Sequence, residues 1–224
     1  MCGRYTIVDP GQAADMLEPD EIEADLRRPR YNIAPTQKVP ALLVRNGRRV
    51  LAEMQWGLVP AWARDKAMGV RLINARAETL SEKPAFRNAL RKSRCLIPAD
   101  GFYEWQKQGA RKIPMYIRLI GGRPFAFAGL FELWRGQDEE LLSCTIITTE
   151  ADEPIRPIHE RMPVILPCEL YRSWLDPSLN DKDAISSLLR PVEGRMLEAY
   201  PVSSHVNSPR NDDPGCIMPC DVKE

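Results

Sequence analysis

The chain has 224 residues, of which 44% are hydrophobic and 28% are charged, and its 31 basic and 31 acidic residues give a formal net charge of zero. This composition is ordinary for a soluble globular protein with one sizeable core, and it excludes a global field that steers the chain toward nucleic acid. No run of about 18 apolar residues predicts a membrane span, and no apolar signal-peptide core opens the chain. We therefore expect a cytoplasmic or nuclear protein with no membrane partner.

The first six residues, Met1–Thr6, place a cysteine at position 2. Removal of Met1 would give Cys2 a free α-amine beside its thiol, with ordinary pKa values of about 8 and about 8.5. The amine can form a Schiff base with an aldehyde, and the thiolate can then close onto the imine carbon to give a thiazolidine ring. By position alone, such a cysteine is more often incidental or a lipid-attachment site, so the other residues decide its function.

Short strands outnumber helices along the rest of the chain. Apolar, β-branched runs predict strands at residues 39–44, 50–59, 71–77, 95–97, 101–107, 113–119, 124–130, 141–148 and 163–166. Helices are predicted at residues 10–17, 84–94, 167–175 and 181–189. Asp9 is the predicted N-cap of the first helix, which acidic residues through Asp25 continue on the surface. Asn46-Gly47 predicts a hairpin turn, and Pro35 favours a loop over residues 31–36.

Many short strands, few helices and 20 prolines indicate an α+β fold. We expect a single β-rich domain with a barrel-like or sandwich sheet and a few short helices. This domain is predicted over residues 2–211, with a polar C-terminal tail over residues 212–224 that ends loosely. A monomer is the expected state.

Basic residues are concentrated in the middle of the chain. Between Arg64 and Lys112 there are twelve basic and five acidic residues, a local net charge of +7, whereas residues 9–25 carry seven acidic residues and no basic one. A solvated surface or a groove for a polyanion would account for the basic excess.

The six cysteines are Cys2, Cys95, Cys144, Cys168, Cys216 and Cys220. In a reducing compartment they are expected as free thiols, because no closely spaced pair of the zinc-binding type occurs. Cys216 and Cys220 are a weak hint of a metal, with no second ligand pair beside them. The sequence therefore predicts no metal site and no small-molecule cofactor.

Residues 73–78 combine an apolar and a polar face if they form a strand. The period of two places Ile73, Ala75 and Ala77 on one side and Asn74, Arg76 and Glu78 on the other. Asn74 can orient an amine or a carbonyl, and Arg76 can bind a phosphate with two hydrogen bonds. An exposed polar strand face would give the same pattern.

Two further motifs contain groups for proton transfer. Glu104 lies among aromatic residues in the predicted strand 101–107, where burial would raise its pKa toward that of a general acid or base. A carboxylate paired at a sheet edge is the alternative. His159 precedes Arg161 and an apolar strand, so His159 can transfer protons near neutrality and Arg161 can bind an anion. His205 lies in the tail and is expected on the surface.

Six motifs occur in order along the chain: Met1–Tyr5, Tyr31–Pro35, Trp56–Pro60, Asn74–Thr79, Pro98–Trp105 and His159–Pro163. Together they closely resemble the SRAP family, the SOS response-associated peptidases or abasic-site processing proteins, from Cys2 to about Asn211. The resemblance implies the SRAP fold and a role in the DNA damage response. It also implies autocatalytic removal of Met1 and a thiazolidine crosslink between Cys2 and the aldehyde of an abasic site in single-stranded DNA. A related lyase activity would cut the DNA strand through the Schiff base.

The resemblance also implies a role for each site residue. Cys2 would be the covalent nucleophile, Asn74 the group that positions it, Glu104 the acid or base near the amine, and His159 the proton shuttle on the sugar. The residues implied in DNA binding are Arg76 and Arg161 as phosphate contacts, Arg4 as a weaker one, and Trp62 as an aromatic that stacks on a base. Two features depart from the family pattern: the segment Ala63–Val70 is longer and more charged than expected, and His205 has no assigned role.

Two other function classes fit parts of the same sequence. In the first, Cys2 attacks amides with His159 as base, and the protein is a thiol-dependent peptidase acting on other proteins. This class requires an oxyanion hole, which no motif marks. In the second, Arg76, Arg161 and Trp62 form a non-covalent module for single-stranded nucleic acid, and Cys2 is dispensable.

A prediction concerns the response of DNA binding to salt. Because the net charge is zero, non-covalent affinity must come from the local basic region and its phosphate contacts. We expect affinity for single-stranded DNA to fall by roughly an order of magnitude or more between about 50 and 200 mM salt. Fluorescence anisotropy across a salt series measures this slope, and a flat response would exclude a phosphate-binding groove.

Overall fold

The computed structural model describes residues 2–221 of the chain. The strands in this range are β1 (Tyr5–Ile7), β2 (Glu21–Ile22), β3 (Arg30–Ile33), β4 (Lys38–Arg45), β5 (Arg48–Trp56), β6 (Asn74–Arg76), β7 (Arg94–Ala99), β8 (Gly101–Gln108), β9 (Arg111–Leu119), β10 (Phe125–Arg135), β11 (Glu140–Glu150), β12 (Arg161–Pro163), β13 (Ile165–Leu166) and β14 (Leu197–Pro201). The α-helices are α1 (Pro10–Leu17), α2 (Arg87–Lys92), α3 (Tyr171–Leu175) and α4 (Lys182–Leu188). The predicted removal of Met1 and the end of the predicted tail lie outside the described residues.

Five strands form a closed ring in the order β11, β10, β7, β4 and β5. The ring closes because β11 also pairs in parallel with the end of β5, where Ser143 lies opposite Gln55 and Cys144 opposite Trp56. Closure removes the exposed edges that a five-stranded sheet would otherwise have. β6 and β12 join the same strand β11, so they extend the barrel on one side. The predicted β-rich fold with a barrel-like sheet is confirmed.

A second sheet has the order β14, β9, β8, β1 and β3. The N-terminal strand β1 lies inside this sheet, with Tyr5 opposite Phe102 on one side and Ile33 on the other. The ring of Tyr5 makes edge-on contacts with Trp56 and Phe127, at centroid separations of 5.3 and 5.7 Å. Such aromatic pairs add to the hydrophobic burial that holds the two sheets together. The start of the chain is therefore fixed inside the fold.

The helices cover the outer face of the barrel. Alternation along the strands sends Leu42 and Leu96 outward to pack with Leu90 and Trp174, while their neighbours point into the barrel. Within the residues described here, no helix has the length and apolar character needed to cross a bilayer.

Several predicted elements differ from the observed ones. Residues 31–36 were predicted as a loop, but β3 occupies Arg30–Ile33, because Pro35 follows the strand and does not interrupt it. The predicted strand 71–77 is reduced to β6, preceded by a 3₁₀ helix over Lys66–Arg71 and followed by another from Ala77. The prediction that acidic residues through Asp25 continue the first helix is also wrong. α1 ends at Leu17, since Glu18 adopts a left-handed φ of 47°, and β2 follows.

Residues 206–212 are held against β3 by hydrogen bonds. The carboxylate of Asp212 accepts hydrogen bonds from the main-chain N–H of Asn32 at 2.9 Å and from Nε of Arg30 at 2.8 Å. Asn32 in turn donates to the main-chain oxygens of Val206 and Asn211. Residues up to Asp212 are therefore held on the fold, because a buried polar side chain of β3 requires these carbonyls as partners. The predicted loose end lies outside the described residues.

A prediction concerns the close approach of Gly57 and Gly69. Gly57 has a φ of +126°, and a Cβ there would lie 2.7 Å from the main-chain oxygen of Gly69. We expect Gly57→Ala to lower the free energy of unfolding by about 3 kcal/mol or more, through backbone strain and steric overlap. The matched control is Gly109→Ala, since Gly109 has a φ of +59° but a Cβ there would meet no atom within 4 Å; its cost should be about 1 kcal/mol. Equal costs in chemical denaturation would contradict the steric explanation.

Candidate active site

Cys2 is fully buried and is held by Asn74. The side-chain Nδ2 of Asn74 donates to the main-chain oxygen of Cys2 at 2.8 Å. Asn74 reaches this position because β6 pairs in parallel with β11, where Asn74 lies opposite Ile146. The period of two then buries Ala75 against the core and leaves Asn74 and Arg76 on the other side of the strand.

Glu104 lies beside Cys2 because β1 and β8 are antiparallel. The main-chain N–H of Tyr103 donates to the oxygen of Arg4 at 3.0 Å, so residues preceding Arg4 run alongside the residues that follow Tyr103. The side chain of Glu104 is buried, and this burial raises its pKa. Burial, and next the carboxylate of Glu104, raise the pKa of the Cys2 thiol. The thiol is therefore held in its protonated form.

His159 completes the group through its electrostatic contact with Glu104. The main-chain N–H of Arg161 donates to Nδ1 of His159 at 2.9 Å, which favours the neutral ring with its proton on Nε2. The ring is preceded by a turn in which the main-chain N–H of His159 donates to Ile155 at 3.0 Å. The structure thus brings together Cys2, Asn74, Glu104 and His159, which lie far apart in sequence.

Arg161 lies next to this group, but its guanidinium contacts protein acceptors. Nη1 and Nη2 bind the two carboxylate oxygens of Glu78 at 2.8 and 3.0 Å, and Nη2 also donates to the main-chain oxygen of Thr148 at 2.7 Å. Burial acts to raise the pKa of Glu78, but its hydrogen bonds and the positive charges of Arg161 and Arg76 together outweigh burial, so the net pKa is lowered. The sequence identified the motifs that contain Glu78 and Arg161. It did not show that these two side chains form an ion pair.

Arg4 also binds the protein itself. Its Nη1 donates to Oδ1 of Asn32 and to the main-chain oxygen of Val206, both at 2.8 Å, and Nη2 donates to the oxygen of Asn207 at 3.3 Å. Burial lowers the pKa of Arg4. The contacts of Arg4 are therefore with the C-terminal loop that covers the start of β1.

The two remaining predicted DNA-binding residues are exposed. Arg76 lies on β6, on the same side as Asn74 and two residues beyond it. Trp62 is 56% exposed. It lines a separate surface cavity of about 440 Å³ together with Arg64, Asp65, Ala67, Met68 and Arg71, and none of the four grouped residues lines it.

A buried polar network that the sequence did not reveal anchors β1. Thr6 Oγ1 donates to the carboxylate of Asp100 at 2.5 Å and lies 2.9 Å from the hydroxyl of Tyr116. The second oxygen of Asp100 accepts from the main-chain N–H of Val8. Asp100 belongs to the same sequence motif as Glu104. Its position directly before a predicted strand could have indicated that it anchors a neighbouring strand.

His205, Asp213 and Cys216 are the group of described residues that could hold a metal ion, with ligand atoms within 4.8 Å of one another. Both ring nitrogens of His205 already have partners, Asp213 at 2.9 Å and Asn211 at 3.1 Å. Hydrogen bonds within the segment 205–213 therefore explain why these side chains lie close together.

Comparisons with known proteins found similar sequences and structures. The family model of the SOS response associated peptidases (SRAP) matches residues 1–209. The chain is 46% identical over 223 residues to abasic site processing protein YoqW of Bacillus subtilis, covering 97% of this chain and 99% of that protein. It is 34% identical over 238 residues to abasic site processing protein HMCES of Gallus gallus, covering 92% and 70%. A crystal structure of a Bacteroides thetaiotaomicron protein matches with a TM-score of 0.86 at 29% identity, covering 98% of this chain and 100% of that one.

A prediction follows from the buried carboxylate of Glu104. A carboxyl group whose pKa is raised by folding stabilises the fold below its unfolded pKa of about 4.3, and this contribution is lost as the pH rises through the folded pKa. Glu104→Gln should therefore increase the free energy of unfolding at neutral pH, by on the order of 1 kcal/mol, and the gain should shrink toward pH 4. Chemical denaturation at several pH values measures the difference. Glu160, which is exposed, provides the control, and Glu160→Gln should show no such pH trend. A loss of stability at neutral pH in Glu104→Gln would contradict the prediction.

Proposed function

The chain belongs to the SOS response-associated peptidase (SRAP) family, and from this premise we propose that it processes abasic sites in single-stranded DNA by covalent capture on Cys2. The observation that carries the proposal is the grouping of Cys2, Asn74, Glu104 and His159 around the start of β1. The names of the YoqW and HMCES relatives, both abasic site processing proteins, support the same substrate.

The reaction requires removal of Met1, which we propose the chain performs itself, so that Cys2 gains a free α-amine. Oδ1 of Asn74 is buried and has no hydrogen-bond partner in the described structure. Since Nδ2 of the same side chain already binds the oxygen of Cys2, Oδ1 is available to accept from the new amine and orient its lone pair.

The proposed chemistry is a condensation that releases one water. An abasic deoxyribose opens when its ring oxygen gains a proton and its C1 hydroxyl loses one, and we assign this exchange to His159. The amine of Cys2 attacks the C1 aldehyde, and the carbinolamine loses water as Glu104 supplies a proton, which leaves an iminium. The Cys2 sulfur then bonds to the iminium carbon while its proton returns to the carboxylate of Glu104, which closes the thiazolidine.

The thiol of Cys2 also controls a competing reaction. An open imine can lose the 3′ phosphate by β-elimination, which is the lyase reaction, whereas ring closure removes the imine. We propose that the thiol, held beside the amine, makes capture faster than strand cleavage.

DNA contacts are proposed at the exposed basic surface. Arg76 is exposed next to Asn74, so it can bind a phosphate near the reacting sugar. Trp62 and the arginines of its cavity can bind a neighbouring nucleotide by stacking and charge. The guanidinium groups of Arg4 and Arg161 bind protein acceptors, so we propose that both residues support the site.

The test is denaturing gel electrophoresis of the protein with single-stranded DNA that contains one abasic site. A band that survives denaturation is expected with the abasic strand and not with intact DNA. Cys2→Ala should remove it, whereas Cys168→Ala, which changes an exposed cysteine, should leave it unchanged. Mass spectrometry should show the summed masses less one water, with Met1 absent from the protein.

Two results would contradict the proposal. The first is a normal yield of adduct with Cys2→Ala. The second is no adduct from wild-type protein that mass spectrometry shows to lack Met1. Strand cleavage without an adduct would favour a lyase.

A further inference from the structure

Glu78 and Arg161 form a two-pronged ion pair at the edge of the candidate site. The guanidinium of Arg161 is mostly buried, with 10% of its side chain exposed against 45% for Glu78. Its two terminal nitrogens bind Glu78, and one of them also binds the main-chain oxygen of Thr148. A buried arginine paired in this way has little freedom to rotate, because each hydrogen bond fixes the plane of the guanidinium.

The ion pair joins two strands that carry different parts of the site. Glu78 follows β6, which carries Asn74, and Arg161 begins β12, which follows His159. β6 and β12 both pair with β11, at Arg76 opposite Thr148 and at Pro163 opposite Thr148. Thr148, which also accepts from Arg161, therefore lies between the two strands. The ion pair therefore connects the segment that follows Asn74 with the segment that follows His159.

The main chain of Arg161 determines whether Nδ1 of His159 carries a proton. The N–H of Arg161 lies 2.9 Å from Nδ1, and the main-chain oxygen of the same residue lies 3.1 Å from it. With the N–H donating, the neutral ring keeps its proton on Nε2. A small rotation of the Arg161 main chain would instead present the oxygen to a proton on Nδ1, and the ring would change tautomer.

We propose that Glu78 is a positioning residue for the reaction at Cys2, because its ion pair with Arg161 holds the main chain that selects the Nε2–H tautomer of His159. This inference rests on the proposed function for its effect on rate. Glu78 touches no reacting atom and acts through Arg161.

Three variants and one control test the inference. Glu78→Gln removes the charge and one of the two acceptor oxygens, and Glu78→Asp keeps the carboxylate on a shorter side chain. Arg161→Lys keeps the positive charge and the main-chain N–H but loses the planar, two-pronged contact. Glu82→Gln makes the same change as the first variant at an exposed glutamate nearby and is the control.

Three readouts are needed. The first is the rate constant of crosslinking at saturating abasic DNA, and the second is the affinity for a strand with a tetrahydrofuran abasic analogue, which has no aldehyde. The third is the ¹⁵N NMR spectrum of the imidazole rings, which reports the tautomer without any reaction. The chain has two histidines, so His205 serves as an internal reference.

We expect Glu78→Gln to slow crosslinking at least tenfold, to change affinity for the analogue less than twofold, and to move the ring nitrogen signals of His159 toward the Nδ1–H pattern. The signals of His205 should not move, Glu78→Asp should recover part of the rate, and Glu82→Gln should behave as the wild type. Arg161→Lys should reproduce the defect, and it carries the test if Glu78→Gln does not fold.

The contrary outcomes are distinct. An unchanged His159 spectrum in a folded Glu78→Gln or Arg161→Lys protein would overturn the inference. Tighter, more salt-sensitive DNA binding in Glu78→Gln at an unchanged rate would also overturn it and would make Arg161 a phosphate contact restrained by Glu78. If wild-type protein forms no crosslink, the proposed function fails, while the NMR comparison still decides whether Glu78 sets the tautomer.

Discussion

Main-chain pairing to β11 is the constraint on which the fold and the candidate site both depend. This strand pairs with β10 and β5 to close the barrel, and with β6 and β12 beyond it. Asn74 is on β6 and His159 directly precedes β12, so two members of the site take their positions from one strand. Two paired strands can slide past each other only in whole-residue steps that break their main-chain hydrogen bonds. The spacing between Asn74 and His159 is therefore set by the register of β6 and β12 on β11.

The site combines this rigid support with groups that are costly to bury. A carboxylate at Glu104 and a thiol at Cys2 lie within a largely apolar core, and burial raises the pKa of both. Removing such groups from water opposes folding. The Thr6–Asp100 network and the aromatic contacts of Tyr5 hold β1 in place against that cost. Reactive groups therefore occupy positions whose main chain is fixed by other interactions.

The sequence predicts the type of fold and the chemistry of single residues better than it predicts their arrangement. Alternation identified most strands, and Asp9 caps α1 as predicted, because these signals are local. The grouping of Asn74, Glu104 and His159 could be expected only through the family resemblance, since spacing along the chain carries no distance information. The partners of Arg161 and Arg4 could not be predicted at all. An exposed phosphate contact and a buried ion pair require the same residue type, and only the fold shows that Glu78 or the oxygen of Val206 is within reach.

The contact between Arg4 and the oxygens of Val206 and Asn207 joins positions about two hundred residues apart in the chain. During synthesis Arg4 is made long before the residues that hold it, which follow it by about two hundred positions. β1 also needs β8 and β3 on either side, so its pairing waits for half of the chain. Cys2 therefore lacks its supporting contacts until the chain has been made through Asn207. The site forms only when these distant segments have folded together.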